Sequence, residues 1–223
     1  MRRCLEALRP QVQHVEAEII VPYDAWATEI GELKAEFPEV QFPWITELGI
    51  ASDPTIPAHQ HRLCDRRRAV GLGLARGRLI AMTEDQIIPA PDWVSQILAL
   101  HRQQPYGVVG GSIDNAIDRP THWATYYCDH GRYGSPLQPA EAEYVSDLNI
   151  SYKREVMEDV RDVWRIILGN HHRAVRLDFL VQHRMRQWRP FDQDSRTLQR
   201  SPGCDCVGRS VGQCGIFGRI NKI

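Results

Sequence analysis

The four-residue stretch Leu79-Ile80-Ala81-Met82 constrains the fold more than any other part of the chain. An unbroken apolar run of this length has no polar face, so a strand built from it must be covered on both sides. It follows Gly77 closely and ends abruptly in Thr83-Glu84-Asp85-Gln86. Upstream, residues 62 to 76 carry Leu63, Val70 and Leu74 at helical spacing despite Gly71 and Gly73, and Gly77 stands where a helix stops. Downstream, Pro91 and Asp92 open a helix expected from Trp93 to about His101, and Gly107-Val108-Val109-Gly110-Gly111 reads as another strand. Nearer the start, Arg2 to Leu8 reads as the end of a helix and Glu18 to Pro22 as a short buried strand. A helix over Ala27 to Phe37 follows, stopping before Pro38, and Val40 to Phe42 suits a further short strand. Strands alternating with helices predict an α/β fold of Rossmann type, a mostly parallel sheet with flanking helices.

With 25% charged residues and a net charge of -1, no bulk field draws the chain to nucleic acid or a membrane surface, and nucleic acid is not expected as a partner. No apolar run approaches the ~20 residues of a membrane span. The N-terminus, with Glu6 in its first turn, does not have the pattern of a secretory signal, so the expected location is cytoplasmic. The six cysteines show no framework spacing and are read as reduced thiols.

Charge is unevenly spread. Up to Trp164 there are 16 Lys and Arg against 24 Asp and Glu; from Arg165 onward there are 11 against 4, and no Glu at all. This divides the chain into a body, residues 1–164, and an Arg-rich, irregular tail, residues 165–223. The tail admits several readings: a phosphate- or nucleic-acid-binding segment, a zinc site drawn from His171, His172, His183, Cys204, Cys206 and Cys214, or an altered, disordered or out-of-frame terminus. None of those His and Cys pairs has the spacing of a zinc finger or ribbon. The altered terminus accounts best for a tail in which composition and charge change together.

The acidic turn after Met82 carries the clearest chemistry. In open α/β sheets, ligands bind beyond the carboxyl ends of the strands. Adjacent acids there can hold a divalent cation, and that cation can neutralise a diphosphate leaving group. A solvated acidic turn is the alternative for an isolated Glu-Asp pair. The surroundings favour the first reading. The run from Arg68 through Gly77 and Leu79-Ile80-Ala81-Met82 to Glu84-Asp85-Gln86, followed by Pro89, Asp92 and Trp93, resembles the central block of family-2 glycosyltransferases. That block leads from an arginine through a helix and strand into an Asp-x-Asp motif. Glu18 to Asp24 is similar to that family's second strand, and Gly107 to Ser112 to the strand after its metal site. Asp147 to Glu155 is similar to its Asn-x-(Ser/Ala)-(Tyr/Phe)-(Arg/Lys)-Arg segment; Asn149 alone would equally suit a helix N-cap.

The resemblance covers roughly residues 2 to 164 and implies an inverting enzyme of GT-A fold, incomplete at both ends. It implies a nucleoside diphosphate sugar as donor and an acceptor it does not identify. Asp24 would contact the base and Arg68 the nucleotide, with Glu84 and Asp85 also on the sugar nucleotide. Trp93 and Asn149 would lie on the acceptor side. Glu84, Asp85 and Gln86 would face a divalent cation, Mg or Mn, held weakly because Gln86 replaces a carboxylate with a neutral amide. Ala69 also departs from the Asn that usually follows the arginine. The family's first strand should precede Arg2, so the domain is expected to lack it. Inverting transfer needs a carboxylate to accept the acceptor's proton. Glu158-Asp159 comes too early for that role, and Asp178 matches nothing, so the catalytic residues are unassigned. The alternative function is a non-catalytic remnant, or a truncated gene product, that at most binds sugar nucleotide.

Overall fold

A computed structural model describes residues 1–45, 57–136, 145–162, 198–206 and 214–220. Six helices and seven strands follow in chain order: α1 (Arg2–Val12), β1 (Ile19–Ile20), α2 (Ile30–Glu36), α3 (Pro57–Leu74), β2 (Leu79–Glu84), β3 (Ile87–Pro89), α4 (Trp93–Gln103), β4 (Val108–Asn115), α5 (Pro120–Asp129), β5 (Asn149–Lys153), α6 (Arg154–Asp159), β6 (Leu198–Cys206) and β7 (Cys214–Ile220). The strands form one sheet in the order β1-β7-β2-β5-β4-β6-β3. The α/β class and the central position of Leu79 to Met82 are as expected.

The reason for the apolar run in β2 is visible in the packing. Strand side chains alternate between faces, and both faces of this sheet are covered. Leu79 and Ala81 join a core with Cys4, Leu5 and Leu8 of α1, Leu33 of α2 and Trp93 and Ile97 of α4. Ile80 and Met82 join the opposite core with Ala69 and Leu72 of α3 and Val156 and Met157 of α6. The two residues of β1 divide the same way, Ile19 to the first core and Ile20 to the second. Gly110 in β4 passes so close to Val145 that a Cβ there would overlap the valine side chain.

The mostly parallel sheet is a misreading. Pairing is antiparallel for β1–β7, β2–β7, β2–β5, β4–β5 and β3–β6, and parallel for β4–β6. Parallel bridges also join Ile20 to Gln41 and Tyr23 to Trp44, near the short strand read at Val40 to Phe42. Apolar runs report that helices cover both faces, whatever the direction of the neighbouring strand. β2 and β4 do run the same way, but β5 inserts antiparallel between them. The region read as an irregular tail also contributes β6 and β7 to the sheet. β7 lies between β1 and β2, a central position.

The cysteine reading fails at Cys64, which is disulfide-bonded, while Cys4 and Cys128 are free. No other cysteine lies at a short spacing from Cys64, so no local pattern signals the pairing.

At the end of α4, His101 is buried and its Nε2 lies 2.9 Å from Ser151 Oγ on β5. The Ser151 hydroxyl also reaches the Val109 carbonyl at 3.3 Å. Burial first, and Lys153 second, lower the His101 pKa from 6.5 to about 4. The folded state therefore takes up the proton later than the unfolded chain. The stability this group contributes is present above pH 6.5 and is lost as pH falls towards 4. His101→Gln keeps a hydrogen-bond partner for Ser151 and should flatten that acid decline. Urea unfolding at pH 7 and pH 5 checks it; an unchanged difference between the two pH values would remove His101 from the account.

Candidate functional site

The carboxyl end of β2 meets the amino end of β5, because Thr83 pairs with Asn149 in antiparallel register. The segment before β5 therefore reaches the acidic turn. α3, packed across the sheet face below, brings Arg68 to the same place. Arg68 Nη2 lies 2.8 Å from Glu84 Oε1 and 2.7 Å from Asp147 Oδ2, with Arg68 only 6% exposed. Gln86 Nε2 donates to the other Glu84 oxygen at 3.1 Å. Asp85 is buried beside this group, its Oδ2 lying 3.8 Å from the Met1 amino group.

The electrostatics follow from burial. Desolvation raises the Glu84 carboxyl from 4.5 to about 7; Arg68 opposes the shift, Asp147 and Asp85 add to it, and the Gln86 hydrogen bond opposes it. Glu84 and Asp147 share one guanidinium here, and Asp85 lies beside the Met1 amino group. Burial, reinforced by the neighbouring acids, makes Glu84 hold a proton more tightly.

Asp24 forms a separate buried pair. Its Oδ2 accepts from Arg67 Nε at 2.8 Å and Nη2 at 2.7 Å, and its Oδ1 accepts from the Trp26 amide at 3.0 Å. Arg67 and Arg68 are neighbours, roughly 100° apart around the helix axis. One therefore reaches the loop after β1 and the other the turn after β2. Trp93 and Asn149 are brought together as well. The indole Nε1 donates to Asn149 Oδ1 at 2.8 Å, and Asn149 Nδ2 donates to the Ser112 carbonyl at 3.0 Å. Both are buried and tie α4 and β4 to the start of β5.

Thus Arg68, Glu84, Asp85 and Gln86 converge on one turn, Asp24 sits on an adjacent ion pair, and Trp93 and Asn149 form a strap beneath. Sequence reasoning missed Arg67 and gave Asp147 no role. Asp147 stood inside a segment already singled out, two residues before Asn149, but nothing local says that it meets an arginine 79 positions earlier.

A divalent cation needs several oxygen ligands free to turn towards it. Here Glu84 uses one oxygen on Arg68 and the other on Gln86, and Gln86 turns its amide nitrogen towards the acid. Among the described residues, no three His, Cys, Asp or Glu side chains are grouped to hold an ion. As arranged, Arg68 stands in the countercharge position beside Glu84. The acids of α6 do not supply a base at this edge, whereas Asp205 of β6 stands in register with Asp114 near the carboxyl end of β4. β5 runs away from the edge, so Glu155, Glu158 and Asp159 of α6 lie at the opposite end of the sheet, with Glu158 paired to Arg154 and Arg161.

No protein-family model matches the chain. It is similar to a glucosyl-dolichyl phosphate glucuronosyltransferase of Haloferax volcanii, 26% identical over 164 residues, covering 70% of this chain and 50% of that protein. The chain spans about half the length of this curated relative. Among the described residues, no helix is long and apolar enough to cross a membrane. The similarity supports a distant relationship to a glycosyltransferase.

Proposed function

We propose that the chain is the sugar-nucleotide-binding part of an inverting family-2 glycosyltransferase of GT-A type, moving a sugar from a nucleoside diphosphate donor to an acceptor. The observation that carries this is the convergence of Arg68, Glu84 and Asp147, with Asp85 and Gln86, beyond the carboxyl end of a central strand. That is where open α/β sheets bind ligands, and the glycosyltransferase relative adds support. Arg68 would exchange part of its carboxylate contact for the donor's diphosphate, since a guanidinium forms charge-assisted pairs with either. A divalent ion would have to draw Glu84 away from Arg68, so ion-dependent binding should be weak.

The second reading is a non-catalytic protein that binds sugar nucleotide, and one observation favours it. The acids of α6, Glu155, Glu158 and Asp159, lie at the wrong end of β5 to deprotonate an acceptor at this turn. A general base typically accounts for about 10²- to 10⁴-fold in rate. A donor-hydrolysis and transfer assay separates the two readings.

Calorimetry with uridine diphosphate, with magnesium and with chelator, tests the binding site. The native chain should show a small magnesium effect. Gln86→Asp supplies the missing carboxylate and should strengthen magnesium-dependent binding by about 5- to 150-fold, from roughly 1–3 kcal/mol for a charge-assisted contact. If neither Gln86→Asp nor Asp85→Ala changes affinity, the nucleotide does not bind at this turn.

A further inference from the structure

β2 and β4 are both antiparallel to β5, so their carboxyl ends lie at the same edge of the sheet. The chain leaves β4 at Asn115 and enters α5 at Pro120, on the rim of the edge that holds Glu84. α5 carries three aromatic residues that stack in a fixed order. Tyr126 is buried and its hydroxyl donates to the Ile113 carbonyl at 2.7 Å, anchoring the helix to β4. Trp123 meets the edge of Tyr126, and its indole N–H donates to Asp118 Oδ1 at 2.8 Å. Tyr127 stacks against Trp123 with centroids 5.6 Å apart and planes 26° from parallel, and is 68% exposed.

A large ring held towards water from behind is preorganised for a ligand with a flat apolar face. Its orientation is set before binding, so little side-chain entropy is lost. The ligand's charge follows from the neighbours. Over residues 118 to 132 the charged side chains are Asp118, Asp129, Arg119 and Arg132, which balance. Anionic phosphate or an anionic membrane surface would find no excess of positive charge. A neutral polyhydroxylated ligand fits better: the C–H face of a pyranose covers the ring, and its hydroxyls reach the adjacent polar side chains.

We infer that Tyr127, backed by Trp123 and Asp118, is a sugar-binding platform at the rim of the site, and that it receives the acceptor as a neutral glycan. The acceptor role rests on the transfer function proposed above; sugar binding itself does not.

The test is saturation-transfer NMR on the 223-residue chain with the methyl pyranosides of glucose, galactose and mannose, each alone. At least one should show saturation on its ring C–H protons. Tyr127→Ala should weaken that ligand about five- to tenfold, in keeping with an aromatic contact of roughly 1 kcal/mol or more, and Tyr127→Phe should retain most of the affinity. Uridine diphosphate affinity should be the same in all three proteins, and circular dichroism confirms their fold. The inference is overturned if no glycoside is saturated, or if Tyr127→Ala binds as well as the native chain. It is also overturned if phosphatidylglycerol vesicles bind through Tyr127 while the glycosides stay silent. Absent uridine diphosphate binding with intact glycoside binding would overturn the donor-site reading and leave the platform standing.

Discussion

Arg68→Ala is expected to destabilise the protein by about 3–5 kcal/mol, the usual result of removing one partner of a buried ion pair. The guanidinium is 6% exposed and lies 2.7 to 2.8 Å from two carboxylates, Asp147 and Glu84. Its loss leaves both acids beside Asp85 with nothing of opposite charge in its place. Arg68→Lys should recover part of the loss. A lysine restores the charge but cannot present a planar fork to two acids at once. Urea unfolding of the three proteins at pH 7 measures the effect.

The same change should make stability more dependent on pH. Glu84 has a folded-state pKa of about 7 against 4.5, so the folded protein holds its proton more tightly than the unfolded chain. The stability from this group is full below pH 4.5 and is lost as pH rises through 7. Arg68 is the strongest influence holding that pKa down. Without it the carboxyl stays protonated to higher pH, and the stability decline extends further. The gap between Arg68→Ala and native protein should therefore be wider at pH 8 than at pH 5.5. A gap that narrows with rising pH would mean that Arg68 does not compensate Glu84.

Local patterns and long-range pairing differ in how well the sequence announces them. α3 is found where expected, but it buries Ala69 and Leu72 while Leu74 is exposed. β2 and α4 are readable because each is defined by its own period and punctuation, an unbroken apolar run and an Asp92 that opens the next helix. The position of the acidic turn follows from the same information. The neighbours of β2 do not. β5 joins it from about seventy residues away and β7 from further still, through hydrogen bonds between backbones that carry no side-chain signature. Both strands run opposite to β2, and its apolar alternation would be the same had they been parallel. The site shows the same division. Glu84, Asp85 and Gln86 are contiguous and visible as a motif. Asp147, which completes the Arg68 contact, depends on the register of β5 against β2, and that register emerges only in the folded sheet. The aromatic order on α5 falls between these cases. Trp123 and Tyr127 stand four residues apart, one helical turn, but which ring faces water depends on Tyr126 being anchored to β4.

Arg67→Ala should cost about as much as Arg68→Ala, roughly 3–5 kcal/mol, for a simpler reason. Asp24 is 1% exposed, and Arg67 meets its Oδ2 through two nitrogens at 2.7 and 2.8 Å. Truncating the arginine leaves a carboxylate that water cannot reach well. Asp24→Asn leaves a single acceptor oxygen, which serves either the Trp26 backbone or Arg67 and turns an amide N–H towards the other, so it too should destabilise. The double variant Arg67→Ala/Asp24→Asn removes both charges together. It should lose less than the sum of the two single changes, because much of the single-variant cost is an unpaired buried charge rather than the worth of the pair. Denaturation of the four proteins closes the cycle. Additive losses, or an Arg67→Ala cost below about 1 kcal/mol as at an exposed pair, would show that the two residues are not coupled. The same proteins also separate structure from binding at Asp24. If this acid contacts the nucleotide base, Asp24→Asn should weaken uridine diphosphate binding even under conditions where the variant is fully folded. If its task is only to hold α3 to the loop after β1, affinity should stay at the native value until the protein unfolds.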